Sequence, residues 1–331
     1  MKQSVVITAA LPDEALRILS RRYEVTSHPT EPSRSEDELI TILADADGAI
    51  TLLTDPLTRK VLSSNPNLRV IANYAVGVNN IDLEAARELG IEITHTPGVL
   101  TDATADLTMA LLLAINRRLI EGDRLVRDGR FRVWDPLLLL GGSLQGKRLG
   151  IVGMGRIGSA VARRALAFGM EIGYHSRSAI ELDFPAESFD LETLLRTSDF
   201  ISIHTPLTDE TRHLIDVEAL ALMKSDACIV NTSRGPVIDE KALADALERG
   251  AIRGAALDVY EEEPKVEPRL LSLDNVILLP HLGSATVEAR TEMARTVARD
   301  VTAVLEGGTP RFPVLPRDGA GSSEEFEKES E

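Results

Sequence analysis

The 331-residue chain has one cysteine, Cys228, so no disulfide can form within it. Its place in the apolar run ACIVNTS reads as a small buried core residue. Positive charge is short too: 36 Lys and Arg stand against 52 Asp and Glu, for a net charge of −16. Phosphate backbones are held by clustered Lys and Arg, so no nucleic-acid partner is expected. Long apolar runs are also missing. The densest stretch, LTMALLLAI, is too short to span a bilayer, and MKQSVVITAALPDEALRILS reads as a first strand and helix rather than a secretory leader. No membrane partner and no metal site are expected, and the cytoplasm is the expected compartment.

What is present is a globular composition, 44% hydrophobic and 27% charged, at a length that suits two domains. Short apolar runs alternate with amphipathic stretches. SVVITA, YEVTSH, GAITLL, LRVIANYA and IEITHTP read as strands. PDEALRILSRRY, SEDELITILAD (capped by Ser35) and IDLEAARELG (closed by Gly90) read as helices. Regular alternation of this kind implies an α/β fold with mostly parallel sheets covered by helices. A long helix opens at TDATADLT and runs through AINRRL. Its apolar density suits either a central position or a subunit interface. RVWDPLLLLGGSLQGK reads as an irregular connection, and strand–helix alternation resumes at RLGIVGMGRIG. A final helix from HLGSATVEAR ends near Leu305. The tail DGAGSSEEFEKESE has few core residues, and disorder is expected there.

The strongest local motif is LGIVGMGRIGSAVARRALAFGM. Gly153, Gly155 and Gly158 fill the three positions of GxGxxG between an apolar strand and an Ala-rich helix. The first permits a tight turn, the second lets the backbone approach a pyrophosphate, and the third allows close helix–strand packing. Free N–H groups at the helix start would hold the anion. The next strand, EIGYHSR, should end beside the adenosine ribose. NAD users place an Asp or Glu there; here stand His175, Ser176, Arg177 and Ser178, and Asp183 comes too late. Without a carboxylate to repel a 2′-phosphate, and with Arg177 and Ser176 as donors, NADPH is the expected cofactor and NADH the alternative.

Other apolar strands end in polar residues: FISIHTP in His204, CIVNTSRGPVID in Arg234, GAALDVY in Asp258, and VILLPHLGSAT in His281. In open α/β sheets chemistry sits at the carboxyl ends of strands. Reduction of a 2-oxo acid needs a cation for the carboxylate and carbonyl, an acid for the new alkoxide, and a carboxylate to keep that acid charged. Arg234, a histidine and one of Glu261, Glu262 or Glu263 meet that need. Residue chemistry alone chooses neither among the three glutamates nor between His204 and His281.

At this point NYAVGVNNID, THTPGVLTDATADLTMALLLA, LQGKRLGIVGMGRIG, ISIHTPLTDETRHLI, IVNTSRGPVIDE, GAALDVYEEEP and LLPHLGSAT, in this order, resemble the D-isomer-specific 2-hydroxyacid dehydrogenases, most closely their glyoxylate and hydroxypyruvate reductase branch. The resemblance covers about residues 4–315. It implies two Rossmann-like domains: a flavodoxin-like substrate domain (1–98 and 286–317) and a doubly wound dinucleotide-binding domain (99–285), followed by a disordered tail (318–331). It implies Arg234 as the substrate-binding arginine, His281 as the acid/base and Glu263 as its partner. Substrate would meet the backbone of Val76 and Gly77, and Leu53 and Trp134, the latter reaching in from a neighbouring subunit. Arg156, Ile157 and Thr104 would lie at the pyrophosphate, with His204, Pro206 and Thr211 along the dinucleotide. Thr232, Ser233, Arg234, Asp258, His281, Gly283 and Ser284 would line its nicotinamide half. A homodimer is implied, and so is reduction of glyoxylate first and hydroxypyruvate second. Larger 2-oxo acids such as 2-ketogluconate, and a nucleotide-sensing interaction protein without turnover, are the alternatives.

Overall fold

A computed structural model of the chain describes residues 2–29, 34–178 and 180–314. The tail expected to be disordered lies outside the described residues, as do 315–317. Two units are built, one within Met1–Leu100 and Thr286–Glu331, the other within Thr101–Ala285.

The first unit alternates β1 (Ser4–Ile7), α1 (Asp13–Leu19), β2 (Glu24–Ser27), α2 (Glu36–Leu43), β3 (Gly48–Thr51), α3 (Arg59–Leu62), β4 (Val70–Asn73), α4 (Leu83–Leu89) and β5 (Glu92–Thr94). The strands form one parallel sheet in the order β2-β1-β3-β4-β5, the flavodoxin-like order. Local signals set the boundaries. Ser35 and Glu38 form a reciprocal capping box at the start of α2. Gly90, at φ 69°, closes α4 in the left-handed conformation that glycine adopts without penalty. Val5, Val70 and Ala72 of the sheet are wholly buried.

The second unit opens with α5 (Thr101–Asn116) and α6 (Leu119–Arg127). It continues through β6 (Arg148–Val152), α7 (Arg156–Ala167), β7 (Glu171–His175), β8 (Glu187–Ser188), α8 (Leu191–Thr197) and β9 (Phe200–Ile203). It ends with α9 (Val217–Leu222), β10 (Cys228–Asn231), α10 (Glu240–Glu248), β11 (Gly254–Leu257) and β12 (Val276–Leu278). Its parallel sheet runs β12-β11-β10-β9-β6-β7-β8. The order reverses at β6, the strand that leads into the glycine motif, so β6 and β9 flank the switch point where doubly wound sheets bind ligands. α11 (Val287–Leu305) then returns to the first unit, where Met293, Val297, Val301 and Leu305 pack with Val5, Ile50 and Val70.

The apolar density of α5 is spent inside its own unit. Ala105, Met109, Leu111 and Leu112 are buried against β6, β10 and β11 residues, which makes this helix central. α6 is a difference from the sequence reading, which ended the long helix at AINRRL and gave no element to the residues after it. At Arg118 the backbone turns left-handed, φ 52°, and a second helix begins that buries none of its residues. Cys228 is buried on β10. Among the described residues, no helix is long and apolar enough to cross a membrane.

Candidate active site and cofactor cradle

The β6–α7 turn fits a dinucleotide in its glycines. Gly153, at φ 96°, tolerates no side chain, since a Cβ would lie 2.7 Å from the His204 backbone. A Cβ on Gly158 would fall 2.2 Å from the Gly153 carbonyl. A Cβ on Gly155, by contrast, would meet no protein atom within 4 Å. The backbone is therefore open at the one glycine that must face a ligand, directly at the N-cap of α7. Arg156 and Ile157 are the first two residues of that helix.

At the end of β7, Ser176 is half-buried while Arg177 and Ser178 are exposed. Asp183 pairs with Arg163 at 2.6 Å. Arg177 lies near enough to Glu210 for its charge to help lower that carboxyl's pKa, after the Thr208 hydroxyl, and so sits beside the 206–211 turn. Thr211 is buried within that turn. Its hydroxyl donates to the Pro206 carbonyl (2.7 Å) and accepts the Thr208 N–H (2.8 Å). His204 bonds Ser202 Oγ through Nε2 at 2.7 Å, and burial pushes its pKa down to about 3. An imidazole so placed is neutral at physiological pH and cannot serve as the acid.

The β10 end is tied by its own asparagine. Asn231 accepts from the Ser233 N–H and hydroxyl and donates to the Arg234 carbonyl at 2.9 Å. Arg234 is half-buried, and burial lowers its pKa while the charge of Glu263 opposes the shift. Thr232 bonds Thr108 of α5 at 2.9 Å. Thr104 donates to the Gly283 carbonyl at 3.0 Å, so α5 supports both the β10 and β12 ends.

His281 sits just past β12 at φ 56°, a left-handed backbone that costs roughly 1–2 kcal/mol in a non-glycine residue. Asp258, fully buried at the end of β11, holds it there. The Asp258 carbonyl accepts the His281 N–H at 2.9 Å, and its carboxylate accepts those of Leu282 (2.6 Å) and Gly283 (2.7 Å). Burial raises the Asp258 pKa against those two donors. Ser284 follows, half-buried. Of the three glutamates, Glu263 is the one at His281, with Oε2 2.9 Å from Nδ1, while its Oε1 accepts the Tyr260 N–H at 3.1 Å. Glu261 instead meets His213 at 2.5 Å, and Glu262 lies 3.7 Å from Lys265. Burial works against ionised Glu263, but the bond and charge of His281, the Tyr260 N–H and Arg234 outweigh it, so its pKa is lowered. With Nδ1 committed to a carboxylate, Nε2 is the ring nitrogen left for a substrate.

In the first unit, Asn73 donates to the Gly77 carbonyl (2.9 Å) and His95 Nδ1 meets the Val76 carbonyl (2.8 Å). Asn80 donates to the carbonyls of Leu52 and Asp55, which ties the turn bearing Leu53 to the Val76–Gly77 loop. Sequence reasoning gave no role to Asn73, Asn80, Asn231, His213 or Glu240. Asn73 and Asn80 stood in NYAVGVNNID, and Asn231 and Glu240 in IVNTSRGPVIDE, but nothing local shows what their side chains bond. Trp134 is 75% exposed. Among the described residues no group of His, Cys, Asp or Glu is placed to hold a metal.

A doubly wound sheet with an open glycine turn, an imidazole–carboxylate pair and a neighbouring guanidinium define a nicotinamide-dependent oxidoreductase. The model of the D-isomer specific 2-hydroxyacid dehydrogenase NAD-binding domain matches residues 109–283. A glyoxylate reductase of Thermococcus litoralis is 49% identical over 319 residues, 94% of this chain and 96% of that protein. A solved glyoxylate reductase from Paecilomyes thermophila is 34% identical with a TM-score of 0.86, covering 95% of this chain and 98% of that one. The NADPH-dependent glyoxylate/hydroxypyruvate reductase of Sinorhizobium meliloti, solved with NADP and malonate, is 31% identical with a TM-score of 0.83, covering 95% and 97%. The chain belongs to the D-isomer specific 2-hydroxyacid dehydrogenase family.

Proposed function

We propose that this protein is an NADPH-preferring reductase of small 2-oxo acids, with glyoxylate as first substrate and hydroxypyruvate as second. The observation that carries the reading is the His281–Glu263 pair at 2.9 Å, with Arg234 close enough to act on Glu263, in the unit that bears the open glycine turn. In this reading residues 99–285 are the dinucleotide-binding domain and residues 1–98 and 286–317 make the substrate domain, a division that the Thr101–Ala285 unit supports.

The reduced nicotinamide, when bound, supplies the hydride to C2 of the oxo acid. Arg234 grips the substrate carboxylate and polarises the carbonyl. His281, charged, gives the Nε2 proton to the carbonyl oxygen, while Glu263 fixes the ring and stabilises the imidazolium. The Val76–Gly77 loop offers backbone N–H groups for the carboxylate, and Leu53 faces the substrate. Hydride and proton together yield a 2-hydroxy acid, of D configuration where C2 is chiral. Gly153, Gly155, Arg156, Ile157 and Gly158 hold the pyrophosphate, with Thr104 near it. Ser176, Arg177 and Ser178 take the 2′-phosphate, and His204, Pro206 and Thr211 lie along the dinucleotide. Thr232, Ser233, Asp258, Gly283 and Ser284 serve the nicotinamide half. Initial rates with glyoxylate and hydroxypyruvate, each with NADPH and NADH, test the reading; no turnover in any combination would sink it.

The NADPH preference rests on a β7 end without a carboxylate, on Asp183 being held by Arg163, and on exposed Arg177. Ser176→Asp combined with Arg177→Gln should lower the NADPH-to-NADH ratio of kcat/KM about tenfold or more, the worth of one charge-assisted hydrogen bond. An unchanged ratio would move the phosphate site elsewhere.

A homodimer is part of the proposal. Leu119, Val126, Val133, Trp134, Leu137 and Leu140 are exposed on α6 and the segment after it, a density of uncovered apolar side chains that a second subunit would bury. Gly142 and Asn116 bond each other's carbonyls and anchor the end of this segment to α5. Trp134 would reach the partner's substrate site. Light scattering should give twice the chain mass, and Leu137→Glu with Leu140→Glu should halve it; a monomeric parent chain would refute the dimer.

A further inference from the structure

We infer that Glu240 is a positioning residue for the reaction, whose buried carboxylate clasps both ends of the loop that presents Glu263 to His281. Glu240 is the first residue of α10, behind the N-cap Asp239, and is only 6% exposed. One of its oxygens accepts the Glu261 N–H, and the other accepts the Glu267 N–H at 3.2 Å. The Glu240 N–H returns a bond to the Glu261 carboxylate at 3.3 Å, so residues 240 and 261 are joined in both directions.

The loop needs such a clasp because burial does not hold it. Glu262, Pro264 and Lys265 are exposed along the backbone turn, only the side chain of Glu263 is partly covered, and the core begins again only at Val266 and Leu270. The clasp is itself braced on both sides. His213 pairs with Glu261 at 2.5 Å, and its own N–H donates to the Pro236 carbonyl two residues beyond Arg234. Arg269 pairs with Glu267 at 2.8 Å. The Arg269 guanidinium offsets the proximity of the three carboxylates. Burial raises the Glu240 pKa and the two N–H donors oppose that shift.

The chemistry of the clasp selects a carboxylate. Two N–H donors require two acceptor oxygens, and a glutamine offers one oxygen and an amide that opposes the second donor. Glu240→Gln should therefore release one end of the loop and let Glu263 drift from His281, although the substituted side chain touches neither substrate nor cofactor.

The inference rests on the reading that Glu263 acts on His281, and the experiment separates the two. Kinetics of glyoxylate reduction with NADPH are measured across pH for the parent enzyme, Glu240→Gln, Glu263→Gln and the double variant. Glu240→Gln should lower kcat about 10- to 100-fold, the cost of an ångström-scale misplacement, with KM near the parent value. The alkaline fall in rate should move to lower pH, because an imidazolium without its carboxylate loses its proton sooner. Added to Glu263→Gln, it should change little further, since the two act through one contact. A merely structural role would lower thermal stability and leave the pH profile in place. Unaltered kcat and profile in Glu240→Gln, or a full further loss in the double variant, would overturn the inference. If Glu263→Gln itself changes nothing, the reading of Glu263 fails instead. Amide hydrogen exchange on the unsubstituted holoenzyme gives a check that needs no variant. The Glu261 and Glu267 amides should exchange more slowly than that of Glu262, and equal rates would also overturn the clasp.

Discussion

His281→Ala is expected to lower kcat for 2-oxo acid reduction by about 10²- to 10⁴-fold, the usual worth of a positioned general acid, with cofactor affinity near that of the parent. Neither His204 nor His213 can take over. His204 is neutral, its pKa pushed down to about 3, and its Nε2 is engaged by Ser202. His213 is committed to Glu261. Reduction consumes a proton from the imidazolium, so whatever pH dependence the parent rate owes to that proton should be absent from the variant. The acid side behaves differently. The Glu263 pKa is lowered in the folded protein, so its ion pair is present above the ordinary carboxylate value of 4.5 and is lost only as pH falls through the depressed value. Activity should thus show no Glu263-dependent loss until pH drops below that ordinary value. Steady-state rates across pH with saturating cofactor make the measurement, and unchanged turnover in His281→Ala would remove the imidazole from the proton-donor role.

The parts of this molecule that could be read from sequence are those that local chemistry fixes. Strand–helix alternation gave both parallel sheets, Ser35 and Gly90 marked helix ends, and three glycines after an apolar strand marked the cofactor turn. The pairing of Glu263 with His281 was out of reach of residue chemistry, because Glu261, Glu262 and Glu263 are equivalent in a string. What separates them is the turn after β11, where the Tyr260 N–H takes one Glu263 oxygen and the Tyr260 hydroxyl reaches the Leu279 carbonyl, two residues before His281. The resemblance to a family named Glu263, but only the folded loop supplies the reason. α6 was missed because Gly122 interrupts it and its apolar stripe, with Leu119, Ile120 and Val126 exposed, buries no residue to mark it as part of a core. Glu240 was invisible for the opposite reason: a glutamate at the start of a helix looks solvated, and its burial depends on a loop 21 residues away.

Gly235→Ala should cost both activity and stability, although the added group is a single methyl far smaller than any catalytic side chain. Its Cβ would fall 1.8 Å from the Tyr260 carbonyl carbon and oxygen and 2.5 Å from the Glu261 nitrogen, so the backbones that carry Arg234 and Glu263 are packed directly on each other there. Neither side yields cheaply. The Arg234 side is pinned by Asn231 on the Arg234 carbonyl, by the Ile238 N–H on the Gly235 carbonyl at 3.0 Å, and by His213 on Pro236. The other side is pinned by Tyr260 on Leu279 and by Glu240 on Glu261. Relief therefore requires one of two fully bonded segments to shift as a body, which moves the guanidinium relative to the imidazole–carboxylate pair. A displacement of about 1 Å at that scale is worth roughly 10²-fold in rate, and overpacking of a closed contact costs about 1–3 kcal/mol. The expected outcome is a lowered Tm, a kcat down about 10²-fold, and cofactor binding close to that of the parent, because the glycine turn before α7 lies on a different strand end. Calorimetry, cofactor titration and steady-state rates on one preparation separate these effects. Parent-like kcat with parent-like Tm would mean that the two segments do not hold each other in place.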